Sequence, residues 1–142
     1  MKTYQPKQME IKRAWHLIDA KDQVLGRVST KIANLLMGKN KVTFSTHMDS
    51  GDNVVVLNAE KVALTGQKTS QKVYRSHSGY PGGFKEVSFD RMLEKHPERI
   101  IEHAVSGMLP DNRLKSKRLK RLIIVVGDKN PYEKKFVTKS EK

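Results

Sequence analysis

The sequence contains no cysteine. That absence removes disulfides, thiolate metal sites and cysteine nucleophiles together, and it is compatible with a reducing compartment. No apolar run approaches the ~18 residues of a membrane span, so an integral membrane protein is not expected. Residues 1–13 lack an apolar signal core, so secretion is not expected and a cytoplasmic location is. Tryptophan occurs once, as Trp15, and reads as a core anchor opening a strand. The motifs of common catalytic sites are also missing. His16, His47, His77, His96 and His103 form no i, i+4 pair and no HExxH setting. There is no G-x-S-x-G elbow and no G-x-x-x-x-G-K-[ST] phosphate loop.

What is present in excess is positive charge. The 142 residues carry 28 Lys and Arg against 15 Asp and Glu, a formal net charge of +13. Such a balance points to nucleic acid or an anionic membrane surface. The charge is unevenly placed. Residues 61–85 hold Lys61, Lys68, Lys72, Arg75 and Lys85 with no acid. Residues 112–127 hold Arg113, Lys115, Lys117, Arg118, Lys120 and Arg121, again with no acid. Between these blocks, residues 86–111 are acidic on balance. This asymmetry predicts one face for phosphate and another for solvent or protein. The bland alternative is a solvated basic face. If residues 113–121 are helical, Arg113, Lys117, Lys120 and Arg121 share one side, and a polyanion would relieve their mutual repulsion.

The hydrophobic pattern predicts an α/β domain. Residues 15–19 read as a short strand. Leu25, Val28, Ile32, Leu35 and Leu36 follow a helical period that Gly38 would cap. Residues 53–58 show no alternation and residues 122–126 are continuously apolar, and both are expected as interior strands buried on both faces. Residues 72–77 alternate weakly, as an edge or ribbon would. Ser88 opens a helix, with Val87 and Met92 placed as a staple, and Pro97 opens the next. Residues 128–142 are polar, with little core potential. The expected organisation is one domain over residues 1–142, with a polar arm at 1–13, a core at 14–127 and a basic tail at 128–142.

The strongest local signal is His77-Ser78-Gly79-Tyr80-Pro81-Gly82-Gly83. Its three glycines let backbone approach phosphate or ribose, and His77 and Tyr80 offer stacking surfaces. An ordinary surface loop is the alternative. Asp49, Asp52 and His47 could hold a cation, as a nuclease would, but Asp49 and Asp52 also fit a turn before a strand. The residues alone thus leave three functions open: an RNA-binding structural protein, an RNA-processing nuclease and a free nucleic-acid chaperone.

A longer set of motifs occurs in order. It comprises Ile18-Asp19-Ala20, Leu25-Gly26-Arg27, Gly38-Lys39, Gly51-Asp52 and Leu57-Asn58-Ala59-Glu60-Lys61-Val62. Thr65-Gly66, Lys72-Val73-Tyr74, the loop from His77 to Gly83, and Gly107-Met108-Leu109-Pro110 complete it. Together they resemble the bacterial-type large-subunit ribosomal protein thirteen family over nearly the whole chain. The resemblance implies a three-layer α/β/α domain around a four-stranded, mostly parallel sheet. It implies a structural role on large-subunit ribosomal RNA, early in subunit assembly, beside neighbouring ribosomal proteins. It implies no catalysis, no cofactor or metal, no membrane and no small-molecule substrate. The candidate RNA-binding residues are Lys39, Lys41, Lys68, Lys72, Arg75, His77, Ser78, Gly79, Tyr80, Arg113, Lys115, Lys117, Arg118, Lys120 and Arg121. Ser106 stands where the family usually places a basic residue, and Thr46 where it usually places proline.

Overall fold

The computed structural model describes residues 5–137. The ends of the expected arm and tail, residues 1–4 and 138–142, lie outside the described residues. Three strands form a parallel sheet in the order β1-β2-β5: β1 is Trp15–Asp19, β2 is Asn53–Leu57 and β5 is Leu122–Ile124. In register, Leu17 lies beside Val55, and Val55 beside Ile123. Between β1 and β2 runs α1, Leu25–Met37. Its buried stripe holds Leu25, Val28, Ile32 and Leu36 of the predicted set, while Leu35 is only half-buried. Each such side chain contributes roughly 1.5–3 kcal/mol on burial. Gly38 ends α1 with φ of 78°, and its N–H reaches the carbonyls of Asn34 and Leu35. A Cβ there would also lie 2.9 Å from the Ser50 carbonyl oxygen, so two independent constraints favour glycine.

A second unit follows β2. The helix α2 is Lys68–Gln71, and β3 (Val73–His77) pairs antiparallel with β4 (Phe84–Ser88). Then come α3 (Phe89–Lys95) and α4 (Pro97–Met108), with Pro97 in the first turn as its sequence position requires. The chain ends with α5 (Lys115–Leu119), β5 and α6 (Lys134–Val137). Ser88 sits at the predicted N-cap of α3, although its hydroxyl makes no capping bond.

The core lies on one face of the sheet. Ile18, Val54, Val56, Leu122 and Ile124 meet α1 together with Phe89, Ile100, Ile101 and Val105 of α3 and α4. Parallel register places Trp15, Leu17, Val55 and Ile123 on the opposite face.

Three expectations need correction. The expected four-stranded sheet is instead a three-stranded parallel sheet plus the separate β3-β4 ribbon. The run 122–126 is not an interior strand. It lies at the sheet edge, its strand stops at Ile124, and Val126 is exposed. An edge strand has neighbours on one side only, so apolar content alone does not bury it. Trp15 is likewise not a core anchor. It is half-buried and covered by Tyr132, stacked at 5.8 Å, and by Phe136, edge-on at 6.1 Å. The polar tail therefore supplies aromatic packing that its composition conceals, with Lys135 Nζ 4.4 Å from the Trp15 ring centre.

Candidate nucleic-acid interface

The β3-β4 ribbon carries the glycine-rich loop at its tip. Tyr80-Pro81-Gly82-Gly83 makes a tight turn in which the Gly83 N–H donates to the Tyr80 carbonyl at 2.9 Å. Gly82 has φ of 73° at the position where a type II turn demands a positive value, and Pro81 pre-sets the residue before it. Gly79 also has a positive φ, 85°, and its N–H donates to His77 Nδ1 at 2.9 Å. Gly83 is needed for space, since a Cβ there would meet Ser78 Oγ at 2.0 Å. The turn therefore forces Tyr80 outward, and it is 75% exposed.

Strand pairing sorts the ribbon's side chains. Directly opposed residues share a face. Tyr74 and Val87 turn inward, Tyr74 meeting His103 edge-on at 5.6 Å, and burial raises the Tyr74 pKa. Val73, Arg75 and His77 face outward, opposite Ser88, Glu86 and Phe84. Phe84 is 56% exposed beside His77, so the tip presents His77, Tyr80 and Phe84 together. Phe84 was not among the expected site residues. Its signal was the regular pairing of β4, which the glycine-rich composition before it hid. Arg75 is held by Glu86 at 2.7 Å across the ribbon. Lys72 Nζ lies 5.3 Å from the centre of the Tyr74 ring. Lys68 and Ser78 are exposed.

A further basic group joins Lys85 to three cations of the segment that is acidic on balance. Lys85, Arg91, Lys95 and Arg99 line one cleft of about 410 Å³ between β4, α3 and α4, with Glu86 as the only acid in its lining. Helical spacing puts Arg91 and Lys95 on one side of α3. Net charge by segment could not reveal this, because it averages over faces.

The second expected surface, residues 113–121, divides in two. Arg113, Lys117 and Lys120 are exposed, as is Lys39 in the loop after α1. Lys115 pairs with Asp111 at 2.5 Å, and that pair lowers the Asp111 pKa. Arg118 and Arg121 turn inward. Arg121 grips Asp49 with both terminal nitrogens, Nη2 at 2.6 Å, and Nη2 also reaches the Leu36 carbonyl at 3.2 Å. The shared face expected for Arg113, Lys117, Lys120 and Arg121 does not form, because α5 is only five residues long and Arg121 falls beyond its end. Lys41 is also drawn in. Its ammonium donates to the carbonyls of Lys12 and Ser50 at 2.8 Å and to Asp52 at 2.5 Å.

Asp49 and Asp52 are structural anchors. Burial would raise the Asp49 pKa, but the Arg121 hydrogen bonds and the charges of Arg121, Arg13 and Arg118 outweigh it and hold it below the usual carboxylate range. Burial acts likewise on Asp52, where Lys41, the Ala14 N–H and His16 prevail. His16 Nε2 lies 3.0 Å from Asp52 Oδ2. His47 pairs with Ser45 at 2.8 Å instead of joining the two aspartates. The Asp49 and Asp52 of the nuclease reading are therefore committed to the fold, each carboxylate already matched by cations, and His47 is exposed and bonded elsewhere.

The arrangement is one of two exposed cationic surfaces, one with an aromatic tip, on an α/β body. Comparison with known proteins gives the family. The model of the family described as "Ribosomal protein L13" matches residues 13–131. The large ribosomal subunit protein uL13 of Salinispora arenicola is 55% identical over 132 residues, covering 93% of this chain and 90% of the relative. The protein of the same name from Roseiflexus sp. is 54% identical over the same shares, and that from Clostridioides difficile 52% over 89% of each. Proteins of this family are structural, non-catalytic ribosomal proteins, which removes the nuclease reading. On the length and identity of these matches, the chain belongs to the ribosomal protein L13 family.

Proposed function

We propose that this protein is a structural constituent of the large ribosomal subunit, binding large-subunit ribosomal RNA mainly through phosphate and helping early subunit assembly. The chain acts as one ribosomal-protein domain with its α/β core over residues 14–127, placed with the ribosome in the cytoplasm and beside neighbouring ribosomal proteins. The observation that carries the mechanism is the sorting of cations. Those matched by buried carboxylates, Arg121 and Lys41, point inward. Lys39, Lys68, Arg113, Lys117 and Lys120 remain exposed without a carboxylate partner among the described residues. These five, with the cleft cations Lys85, Arg91, Lys95 and Arg99, make the phosphate contacts. Lys72, Arg75 and Lys115 can exchange their weak surface partners for phosphate, since exposed pairs contribute only about 0–1 kcal/mol. His77, Ser78, Gly79 and Tyr80 meet bases and ribose at the ribbon tip.

The test is binding of the full-length protein to large-subunit ribosomal RNA across a salt series, with sedimentation alongside large subunits. If about five phosphates are neutralised, raising salt from ~50 to ~200 mM weakens binding by roughly two to three orders of magnitude. A nearly flat salt response, or failure to sediment with the subunit, removes the reading.

A further inference from the structure

A cleft of about 410 Å³ opens between the end of α1, the loop after it and the segment following α4. It lies apart from the ribbon and its basic cleft. Met37, Phe44, Met108 and Pro110 give it apolar walls, and Lys39 and Arg118 give it charge. No acid lines it. Such a volume falls within the about 300–1,000 Å³ usual for small-ligand sites.

Arg118 is the unusual member. It is the largest of the fully buried side chains among the described residues, 2% exposed, and its Nε has no hydrogen-bond partner. The carboxylate beside it, Asp49, stands 3.7 Å from that nitrogen, beyond hydrogen-bonding reach. Asp49 is already gripped by Arg121, and Arg13 approaches it at 3.6 Å. Three guanidiniums thus share one carboxylate. Arg121 Nε also lacks a hydrogen-bond partner, but its terminal nitrogens hold the carboxylate, and Arg13 is partly solvated, which leaves Arg118 as the buried guanidinium held only by an ion pair at 3.7 Å. A buried charge paired only at that distance is poorly compensated, and an anion entering the cleft would add a closer partner.

We propose that this cleft is a subsite for a single unstacked nucleotide of the bound RNA, its phosphate drawn to Arg118 and Lys39 and its base laid against Phe44 and Met108. The inference rests on the RNA-binding reading above. The cleft asks for an anion joined to a flat apolar group. Phe44 offers a ring face for stacking, and Met37 and Met108 adapt to the outline of a base. An acidic side chain would answer the charge but leave the apolar walls uncovered.

The experiment uses the full-length protein with ¹³C-labelled methionine methyl groups. It is titrated with adenosine and uridine monophosphates, with inorganic phosphate and with an acidic peptide. The Met37 and Met108 resonances are expected to move saturably with the nucleotides, while Met9 and Met48 stay in place. Arg118→Met removes the charge at similar length. It is expected to keep the melting temperature and to weaken nucleotide binding by about tenfold or more. Phe44→Ala is expected to weaken it too, and serves if Arg118→Met does not fold. The proposal is overturned if wild-type protein binds large-subunit RNA yet neither nucleotide moves these methyls. Equal movement with phosphate or peptide alone, or variants that bind nucleotide as wild type does, also overturns it. Loss of large-subunit RNA binding by the wild type overturns the RNA reading instead.

Discussion

Asp49 shows how one residue can decide which cations reach a partner. Its carboxylate pulls Arg121 inward from a run that, as sequence, looks uniformly basic. Both members of this pair are only 12% exposed. Breaking a buried pair by removing one partner costs about 3–5 kcal/mol, because the remaining charge is stranded. Asp49→Asn is therefore expected to lower stability by that order, read as a shift of the denaturant midpoint; a change under about 1 kcal/mol would mean that the pair is solvated after all. Tyr80 is the opposite case, since it touches little of its own protein. Tyr80→Ala is expected to leave the melting temperature unchanged and to weaken RNA binding by roughly 1–3 kcal/mol. Lost stability with unchanged affinity would make Tyr80 a packing residue.

Among the elements, the ribbon and the tail differ most from their sequence signals. The ribbon is exposed on its outer face, so its stability comes from pairing, its turn and the inward Tyr74 and Val87. The tail works through three rings. Aromatic contacts of this kind contribute about 0.5–1.5 kcal/mol each beyond the area they bury. Phe136→Ala is expected to shift Trp15 fluorescence to the red and to destabilise modestly, with RNA affinity per folded molecule preserved. Unchanged emission would show that α6 does not cover Trp15.

For the whole molecule, the buried carboxylates set how stability varies with pH. Asp49 and Asp52 both have folded pKa values below their usual ones. The unfolded chain therefore binds protons first as pH falls, so acid favours unfolding. Their contribution is complete above the ordinary aspartate value of about 3.9 and is lost as pH drops below it, through the lower folded values. Thermal unfolding followed from about pH 6 down to about pH 2 is expected to show that loss, and Asp49→Asn is expected to flatten it. A wild-type profile without an acid limb would contradict the network. The same carboxylates tie residues 13–16 and the loop before β2 to the start of β5, so acid is expected to loosen these parts together.

Much of this was determined by local sequence. The helical period of Leu25, Val28, Ile32 and Leu36 specifies α1, Gly38 its end and Pro97 the start of α4, because backbone geometry acts over a few residues. The glycine-rich loop was legible for the same reason, while the positive φ of Gly79 and Gly82 came from the structure. The motifs carried the family. Tertiary structure alone decided which charges face outward. Lys117 and Arg118 are chemically alike neighbours, yet one is exposed and the other buried, since burial depends on what a helix packs against. It also decided that residues 122–126 sit at an edge, that the polar tail covers Trp15, and that a net-acidic segment gathers three cations beside Lys85 in one cleft. Each of these depends on contacts between residues distant in sequence, which composition and periodicity do not encode.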